Sequence, residues 1–224
     1  MKKTFLFSLA VAACIGIASC SSDKPTDGNK TGTEQAESSE SDKLKDDKLS
    51  SFMLGGIYFI EGYGGQSAVN GMIASTDKKE IVSSYKEMLE LPFKPGAEST
   101  GAQSTLKSMW GINNKEELIK TLGELKTGNV EKSTHRAWDY ARLVNNACMG
   151  YAAGYLTAAE AEQYVTEILP LAKKDFKTWE DYFVDFNAGR KAWGGDPSGD
   201  KGYEDAAKEI LKGDKSIYQI LPLN

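Results

Sequence analysis

The chain has 224 residues, of which 27 are basic and 32 are acidic, and its formal net charge is −5 at pH 7. This acidic balance argues against nucleic acids and anionic lipid headgroups as partners. Neither a GxxxxGK[ST] nor a GxGxxG phosphate-binding motif occurs, so the sequence does not support nucleotide binding and we expect no cofactor.

Residues 1–19 have the pattern of a lipoprotein signal peptide. Two lysines precede an apolar run from Phe5 to Ile17, which is too short for a bilayer core that needs about 20 helical residues. The run ends in Ile17-Ala18-Ser19-Cys20, which resembles the lipobox of bacterial lipoproteins. The resemblance implies cleavage before Cys20 and attachment of lipid, palmitate included, to this cysteine. Two or three acyl chains would anchor the mature protein to a membrane.

Residues 20–50 are rich in Ser, Thr, Gly, Asp, Glu and Lys and contain no aromatic residue. Such a stretch buries too little apolar surface to fold, so we predict a disordered tether behind the lipidated cysteine. We expect the protein in the cell envelope, at the outer membrane. Ser21-Ser22-Asp23 resembles the export signal of some surface lipoproteins, but Lys24 interrupts the pattern. The periplasmic face and the cell surface therefore both stay open.

Cys148 is the only thiol expected in the mature chain, because Cys14 leaves with the signal and Cys20 carries lipid. We interpret Cys148 as a buried small hydrophobic residue. His135 is the only histidine and lies 13 residues earlier, which is about 20 Å along a continuous helix. A Cys-His dyad and a zinc site with two such ligands are therefore excluded.

Residues 51–224 are predicted to form a single all-α domain. The opening stretch is predicted to be helical to about Glu61, Pro170 should kink or end a helix, and a last short helix spans Glu204 to Leu211. Four sequence patterns predict helix N-caps, at Asp77, Asn114, Thr157 and Thr178, and Gly128 is a predicted C-cap. Together these signals predict a single compact bundle of about six or seven helices with mixed crossing angles.

The stretch from Thr134 to Tyr155 is predicted to be a long helix at the centre of this bundle. Its small and apolar residues recur at helical spacing, so a neighbouring helix can approach closely. Asp139 and Arg142 lie three residues apart on it, and Asn145 and Asn146 extend the polar row. This row is either a structural ion pair between helices or the lining of a polar pocket.

Residues 105–195 resemble the bacterial domain-of-unknown-function family 1266. The resemblance rests on motifs that occur in the family's order: Trp110-Gly111-Ile112, Glu116-Glu117-Leu118, Ala137-Trp138-Asp139-x-x-Arg142-x-x-Asn145, Gly150-Tyr151-x-x-Gly154-Tyr155, Glu160-Ala161, Trp179-Glu180 and Gly189-Arg190-x-x-Trp193. The resemblance implies a helical domain and supplies no activity. It also suggests that one constellation unites Trp138, Asp139, Arg142, Asn145, Gly189 and Arg190.

This constellation allows three hypotheses. Asp139 could pair with Arg142 or Arg190 inside the bundle as a structural element. Arg142 and Arg190 could instead hold an anionic group of a protein, peptide or small ligand, beside a wall of Trp138 or Trp193. An envelope hydrolase with paired carboxylates is the alternative to these non-catalytic roles. Its acid and base would be, for example, Asp139 with Glu180 or Asp181.

We predict no metal site. The segment Asp196–Gly202 has acids at alternate positions, as a calcium loop does. However, Lys201 stands at the sixth position and Ala207 at the twelfth. We interpret this segment as a turn with helix-capping acids. Without a metal or catalytic motif, the sequence favours a binding or protein-interaction module over an enzyme.

Overall fold

A computed structural model describes residues 44–130 and 134–224, and every regular element within these ranges is helical. The predicted all-α class is confirmed, but the predicted number of six or seven helices is wrong. The described ranges hold twelve helical segments: α1 Asp47–Met53, α2 Gly56–Gly62, α3 Gln66–Met72, α4 Lys78–Leu89, α5 Ser99–Trp110, α6 Lys115–Thr127, α7 Arg136–Ala152, α8 Ala158–Thr166, α9 Leu169–Asp175, α10 Trp179–Trp193, α11 Pro197–Ile210 and α12 Ile217–Ile220.

The N-terminal part of the fold explains much of this undercount. The sequence predicts one helix from residue 51 to about Glu61, but α1 ends at Met53 and α2 begins at Gly56. The break lets the backbone pass close to α7, since a Cβ atom on Gly55 would lie 2.7 Å from Val144 Cγ1. A third short helix follows Gly65, whose φ of 88° favours glycine.

Two other helices differ from the prediction, because α5 lacks a clear apolar stripe and the first turns of α11 are polar. Helix α5 was not predicted, and only Ala102 and Leu106 of its residues are buried. Helix α11 begins at Pro197, well before the predicted start at Glu204. Asp196 does cap this helix, by accepting a hydrogen bond from the Ser198 amide at 3.2 Å, but the residues after it are helical and do not form a turn.

The predicted helix caps agree with the structure. Each of the four N-cap side chains accepts a hydrogen bond from a backbone amide of its helix, and Gly128 ends α6 with a left-handed backbone. The chain turns before Pro170, which lies in the first turn of α9. Local capping chemistry therefore determines these boundaries.

Helix α7 is the centre of the fold, as predicted, although it is shorter than Thr134 to Tyr155. Fourteen of its 17 residues are buried, and α5, α6, α8, α9 and α10 all pack on it. The close approach of α6 to α7 depends on Gly150 of α7, where a Cβ atom would lie 2.3 Å from Leu118 Cδ2 of α6. Cys148 is fully buried on this helix, and burial raises the pKa of its thiol.

The structured unit begins before residue 51. Residues 44–224 form one compact unit, in which Leu49 and Ser50 are buried and the Asp46 carboxylate caps α1 by accepting a bond from the Leu49 amide at 3.0 Å. The predicted end of the tether at residue 50 is therefore wrong, because the polar composition of the stretch conceals a short capped helix. The signal peptide and the rest of the predicted tether lie outside the described residues. Within the described ranges, no helix is long and apolar enough to cross a membrane.

Candidate functional site

Asp139 lies at the centre of a buried ion network. Its side chain is fully buried. One carboxylate oxygen accepts a hydrogen bond from Arg136 Nη1 at 2.9 Å, and the other accepts one from Arg142 Nη2 at 2.6 Å. Arg136 also donates to the carbonyl oxygens of Leu125 and Lys126 at the end of α6. The predicted pair of Asp139 and Arg142 is present. Arg136, which also binds Asp139, joins α7 to the end of α6.

Arg142 is held between two tryptophan rings. Its Cζ lies 3.6 Å from the centroid of Trp138 and 5.4 Å from that of Trp110. The residue is 8% exposed, so these cation–π contacts act where water competes little. Its Nε atom is buried and has no hydrogen-bond partner among the described residues.

Arg190 does not pair with Asp139. Its Nη2 lies 3.4 Å from Asp200 Oδ1, and its Cζ lies 3.9 Å from the centroid of Tyr203. Asp200 Oδ1 lacks a hydrogen-bond partner in the described chain, so the contact with Arg190 is an ion pair without hydrogen-bond geometry. Of the two partners that the sequence left open for Asp139, the structure selects Arg142 and adds Arg136.

Gly189 allows α10 to cross α7 at this network. A Cβ atom at Gly189 would lie 2.8 Å from the Cβ atoms of both His135 and Trp138. One turn later, the Trp193 ring lies against Trp138, with 6.0 Å between the ring centroids. Trp193 is 58% exposed, so it forms an outer cover on an otherwise buried tryptophan.

Tyr58 connects the two arginines. Its ring lies 5.6 Å from Tyr203, which in turn stacks on Arg190. Burial and Tyr203 raise the pKa of the Tyr58 hydroxyl, whereas Arg190, Arg142 and Trp138 act to lower it. The hydroxyl is therefore within electrostatic reach of both guanidinium groups.

The structure also identifies which asparagine of the polar row is buried. Asn145, which the sequence included in the constellation, is only half-buried. Asn146 is fully buried, and neither its Oδ1 nor its Nδ2 has a hydrogen-bond partner in the described chain. Asn146 lies four residues after Arg142, on the same face of α7.

Sequence reasoning missed several members of this cluster: Tyr58, Trp110 as a stacking partner, Arg136, Asp200 and Tyr203. Arg136 carried a local signal, because it lies three residues before Asp139 and on the same helix face. The others come from α2, α5 and α11, and only the packing of these helices brings them to α7.

A surface cleft of about 320 Å³ lies between the end of α10 and the start of α11. Asp200 lines this cleft and also pairs with Arg190, which does not line the cleft itself. Glu204 lines it as well and pairs with Lys191, whose hydrogen bond lowers the pKa of this carboxyl. The residues that line the cleft are Lys191, Gly194, Gly195, Pro197, Asp200, Lys201 and Glu204.

The carboxylates that the sequence suggested for a hydrolase have structural partners. Asp139 is buried between two guanidinium groups, and Asp181 is part of the capping box that begins α10. Glu180 lies exposed in the first turn of the same helix. Within the part of the chain that the structure describes, no group of three or more His, Cys, Asp and Glu residues could hold a metal ion.

Residues 126–223 match the family described as Protein of unknown function (DUF1266). The match confirms the domain resemblance seen in the sequence, over a range that begins and ends later than the expected 105–195. It contains α7 to α12, and with them Asp139, Arg142 and Arg190. No curated protein and no solved structure matches the chain.

The DUF1266 match covers less than half of the chain, and its description contains no activity. Tyr58 and Trp110, which complete the cluster, lie before the matched range. The match therefore assigns no chemistry to the cluster.

Proposed function

We propose that this protein is a lipid-anchored lipoprotein of the bacterial cell envelope, whose domain at residues 44–224 acts by binding. The observation that carries the anchor is the sequence Ile17-Ala18-Ser19-Cys20 after a short apolar run with two lysines in front of it. Acyl chains on Cys20 would hold the protein at a membrane, most simply the outer membrane. The polar stretch that follows separates the anchor from the domain.

The anchor is tested in the full chain by replacing Cys20. Cells that express the wild type or Cys20→Ala are labelled with a fatty-acid analogue and then fractionated. We expect label and membrane association in the wild type and neither in Cys20→Ala. Cys14→Ala is the matched control, because it removes a cysteine of the same apolar run without changing the lipobox, and it should keep both. Label that persists on Cys20→Ala would refute lipidation at this residue.

Binding is supported by the arginine cluster next to the cleft. Arg142 and Arg190 each have a buried Nε donor without a partner in the described chain, and Asp200 links the cluster to the cleft. Donors of this kind recognise anionic groups. The ligand could belong to a protein, a peptide or a small molecule.

Catalysis by paired carboxylates has weaker support. Asp200 and Glu204 both line the cleft, but each pairs with a cation, Arg190 and Lys191 respectively. Lys191 lowers the pKa of Glu204, whereas a general acid at neutral pH needs a raised pKa. We therefore place the envelope hydrolase second.

A further inference from the structure

A second surface cleft, of about 450 Å³, lies where the end of α3, the start of α4 and the turn after α11 meet. The residues that line it are Asn70, Thr76, Ile81, Asp214 and Lys215. We call it the Lys215 cleft. Its volume falls in the range of roughly 300–1,000 Å³ that is usual for small-molecule sites. It shares no lining residue with the cleft beside Asp200, so it is a separate place for a ligand.

The Lys215 ammonium is held at this cleft by the end of α3. Its Nζ donates to the carbonyl oxygen of Ile73 at 2.5 Å and to that of Asn70 at 3.4 Å. An ammonium group has three N–H donors, so one donor stays available. Within residues 44–130 and 134–224, Lys215 has no ion pair with a carboxylate. The wall of the cleft therefore carries a positioned positive charge with an unused donor.

Asp214 places the opposite charge on the same cleft. Its carboxylate makes no hydrogen bond or ion pair with the residues that the structure describes, neighbouring Lys215 included. The turn that carries it is well defined, because Gly213 has a φ of 88° and its carbonyl accepts from the Ser216 amide at 3.0 Å. Ser216 is fully buried, which anchors the turn in the core. Two opposite charges therefore line one cleft without pairing with each other.

The Asn70 amide is oriented by a buried neighbour. Gln66 is 3% exposed, and its Nε2 donates to Asn70 Oδ1 at 2.7 Å and to the Tyr85 hydroxyl oxygen at 2.8 Å. The bond with Gln66 uses the amide oxygen of Asn70 and leaves its NH₂ group as a donor without a partner in the described chain. The cleft therefore offers donors at Asn70 and Lys215 and an acceptor at Asp214.

This supply of unused polar groups distinguishes the Lys215 cleft from the cleft of about 320 Å³. Every charged residue that lines the smaller cleft already has an ion-pair partner. A charged ligand would have to compete with those pairs. In the Lys215 cleft a ligand displaces water from Lys215 and Asp214 and breaks no ion pair of the protein.

We propose that the Lys215 cleft binds a free α-amino acid. The ligand carboxylate accepts hydrogen bonds from Lys215 and Asn70, and its ammonium group donates to Asp214. Its side chain lies toward Ile81, the apolar residue of the lining. A simple anion or a simple cation would leave one charge of the cleft without a counterpart, which favours a zwitterion. This inference goes beyond the arginine cluster and uses none of its residues, so either proposal can fail alone.

Isothermal titration calorimetry of residues 44–224, the compact unit that contains the core, tests the proposal at pH 7. The probes are L-alanine, L-valine and L-leucine, and we expect saturable binding of at least one. Its N-acetyl derivative lacks the ammonium group and its amide lacks the carboxylate. Both analogues should bind about ten-fold more weakly or worse, since each loses a charge-assisted contact. Absence of saturable binding for all three probes, or equal binding of the N-acetyl derivative, would overturn the proposal.

Two substitutions test the assigned residues. Asp214→Asn keeps the shape of the side chain and removes its charge, so the amino acid should bind about ten-fold more weakly and lose its advantage over the N-acetyl derivative. Asn70→Asp keeps an oxygen for Gln66 and replaces the donor with a negative charge that repels the ligand carboxylate. Glu87→Gln is the matched charge control, because Glu87 is exposed on α4 and does not line the cleft. Equal affinity in wild type and Asp214→Asn would contradict the site.

Arg190→Gln separates this site from the arginine cluster. Arg190 does not line the Lys215 cleft, so amino-acid affinity should stay at the wild-type value. Loss of binding in Arg190→Gln together with wild-type binding in Asp214→Asn would overturn the Lys215 cleft and favour the arginine cluster. A crystal structure with the bound amino acid is the direct check. We expect its carboxylate at Lys215 Nζ, and a ligand bound elsewhere would refute the assignment.

Discussion

Asp139 is fully buried, and its carboxylate accepts hydrogen bonds from two arginines. Arg136 and Arg142 approach opposite oxygens of the carboxylate. Loss of one partner in a buried ion network leaves charge without compensation, which costs about 3–5 kcal/mol. The network therefore has a measurable structural role whatever the site binds.

We expect Asp139→Ala to lower the free energy of unfolding by about 3–5 kcal/mol, measured by urea denaturation of residues 44–224. Arg190→Ala should cost less, because Arg190 is partly exposed and its contact with Asp200 lacks hydrogen-bond geometry.

Lys120→Ala is the surface control. Its ion pair with Glu124 spans 3.8 Å, and its side chain is 77% exposed, so the change should stay below about 1 kcal/mol. If Asp139→Ala were as stable as Lys120→Ala, the network would be kept for a purpose other than folding.

Glu160 illustrates a residue whose role could be predicted from sequence alone. With Thr157 it forms the capping box of α8, and it also pairs with Lys115. The hydrogen bonds with Lys115 and Thr157 lower the pKa of this carboxyl from 4.5 to about 2. The carboxylate therefore stabilises the fold above the unfolded-state pKa, and this contribution is lost as pH falls toward the folded-state pKa.

We predict that Glu160→Gln melts at a lower temperature than the wild type at pH 7. The difference should shrink as the pH falls from about 4.5 to about 2, because the wild-type carboxyl becomes protonated and loses its advantage over the amide. Differential scanning calorimetry across this range measures the effect. Glu116→Gln, in the first turn of α6, is a carboxylate control that lacks this capping box. A difference that does not depend on pH would contradict the assignment.

At the scale of the element, the crossing of α7 and α10 depends on a glycine. No side chain fits at Gly189, where a Cβ atom would meet His135 and Trp138 at 2.8 Å. The same crossing brings the exposed Trp193 ring against the buried Trp138.

Gly189→Ala should therefore destabilise the domain by about 1–3 kcal/mol, since overpacking shifts helices that cannot yield. Gly123→Ala is the matched control within a helix, because a Cβ atom there meets nothing within 4 Å. It should raise stability by about 0.5–1 kcal/mol through helix propensity. Urea midpoints of the two variants measure the contrast. Equal effects would mean that the crossing can adjust.

The element scale also shows where sequence reasoning failed. Helix α5 has only Ala102 and Leu106 buried, so no apolar stripe marked it. It nevertheless packs on α7, and its Trp110 ring makes a cation–π contact with Arg142. The side chains of Ser99 and Gln103 donate hydrogen bonds to the carbonyl oxygens of Ala152 and Ala153 at the end of α7, at 2.7 and 2.9 Å. Such contacts between distant parts of the chain leave no periodic pattern in the sequence.

At the scale of the whole molecule, the first and last parts of the domain meet in the core. Tyr218 near the C-terminus donates a hydrogen bond to the Met53 carbonyl at 2.8 Å. The Tyr182 hydroxyl shares its single hydrogen between the carbonyl oxygens of Leu54 and Ala137, at 2.7 and 2.9 Å. Helix α1 is therefore part of the core, although it follows a polar stretch.

A chain that begins at residue 51 should be less stable than one that begins at residue 44. It loses Leu49, which is fully buried, and removing such a side chain costs about 1.5–3 kcal/mol. It also loses the Asp46 cap of α1 and its ion pair with Lys86. Urea midpoints of the two chains measure the difference. A chain that begins at residue 21 should match the one that begins at 44, and equal midpoints for all three would refute this role for α1.

The helical class and the capped starts of α4, α6, α8 and α10 could be predicted from the sequence, because capping depends on contacts within a few residues. The sequence also contains the predicted lipobox, which is a linear motif. The folded structure was needed to show that Arg190 pairs with Asp200 and leaves Asp139 to Arg142, and that Tyr58, Trp110 and Tyr203 join the arginines. These choices depend on the packing of helices distant in sequence, where burial and charge compensation select partners that local spacing cannot distinguish.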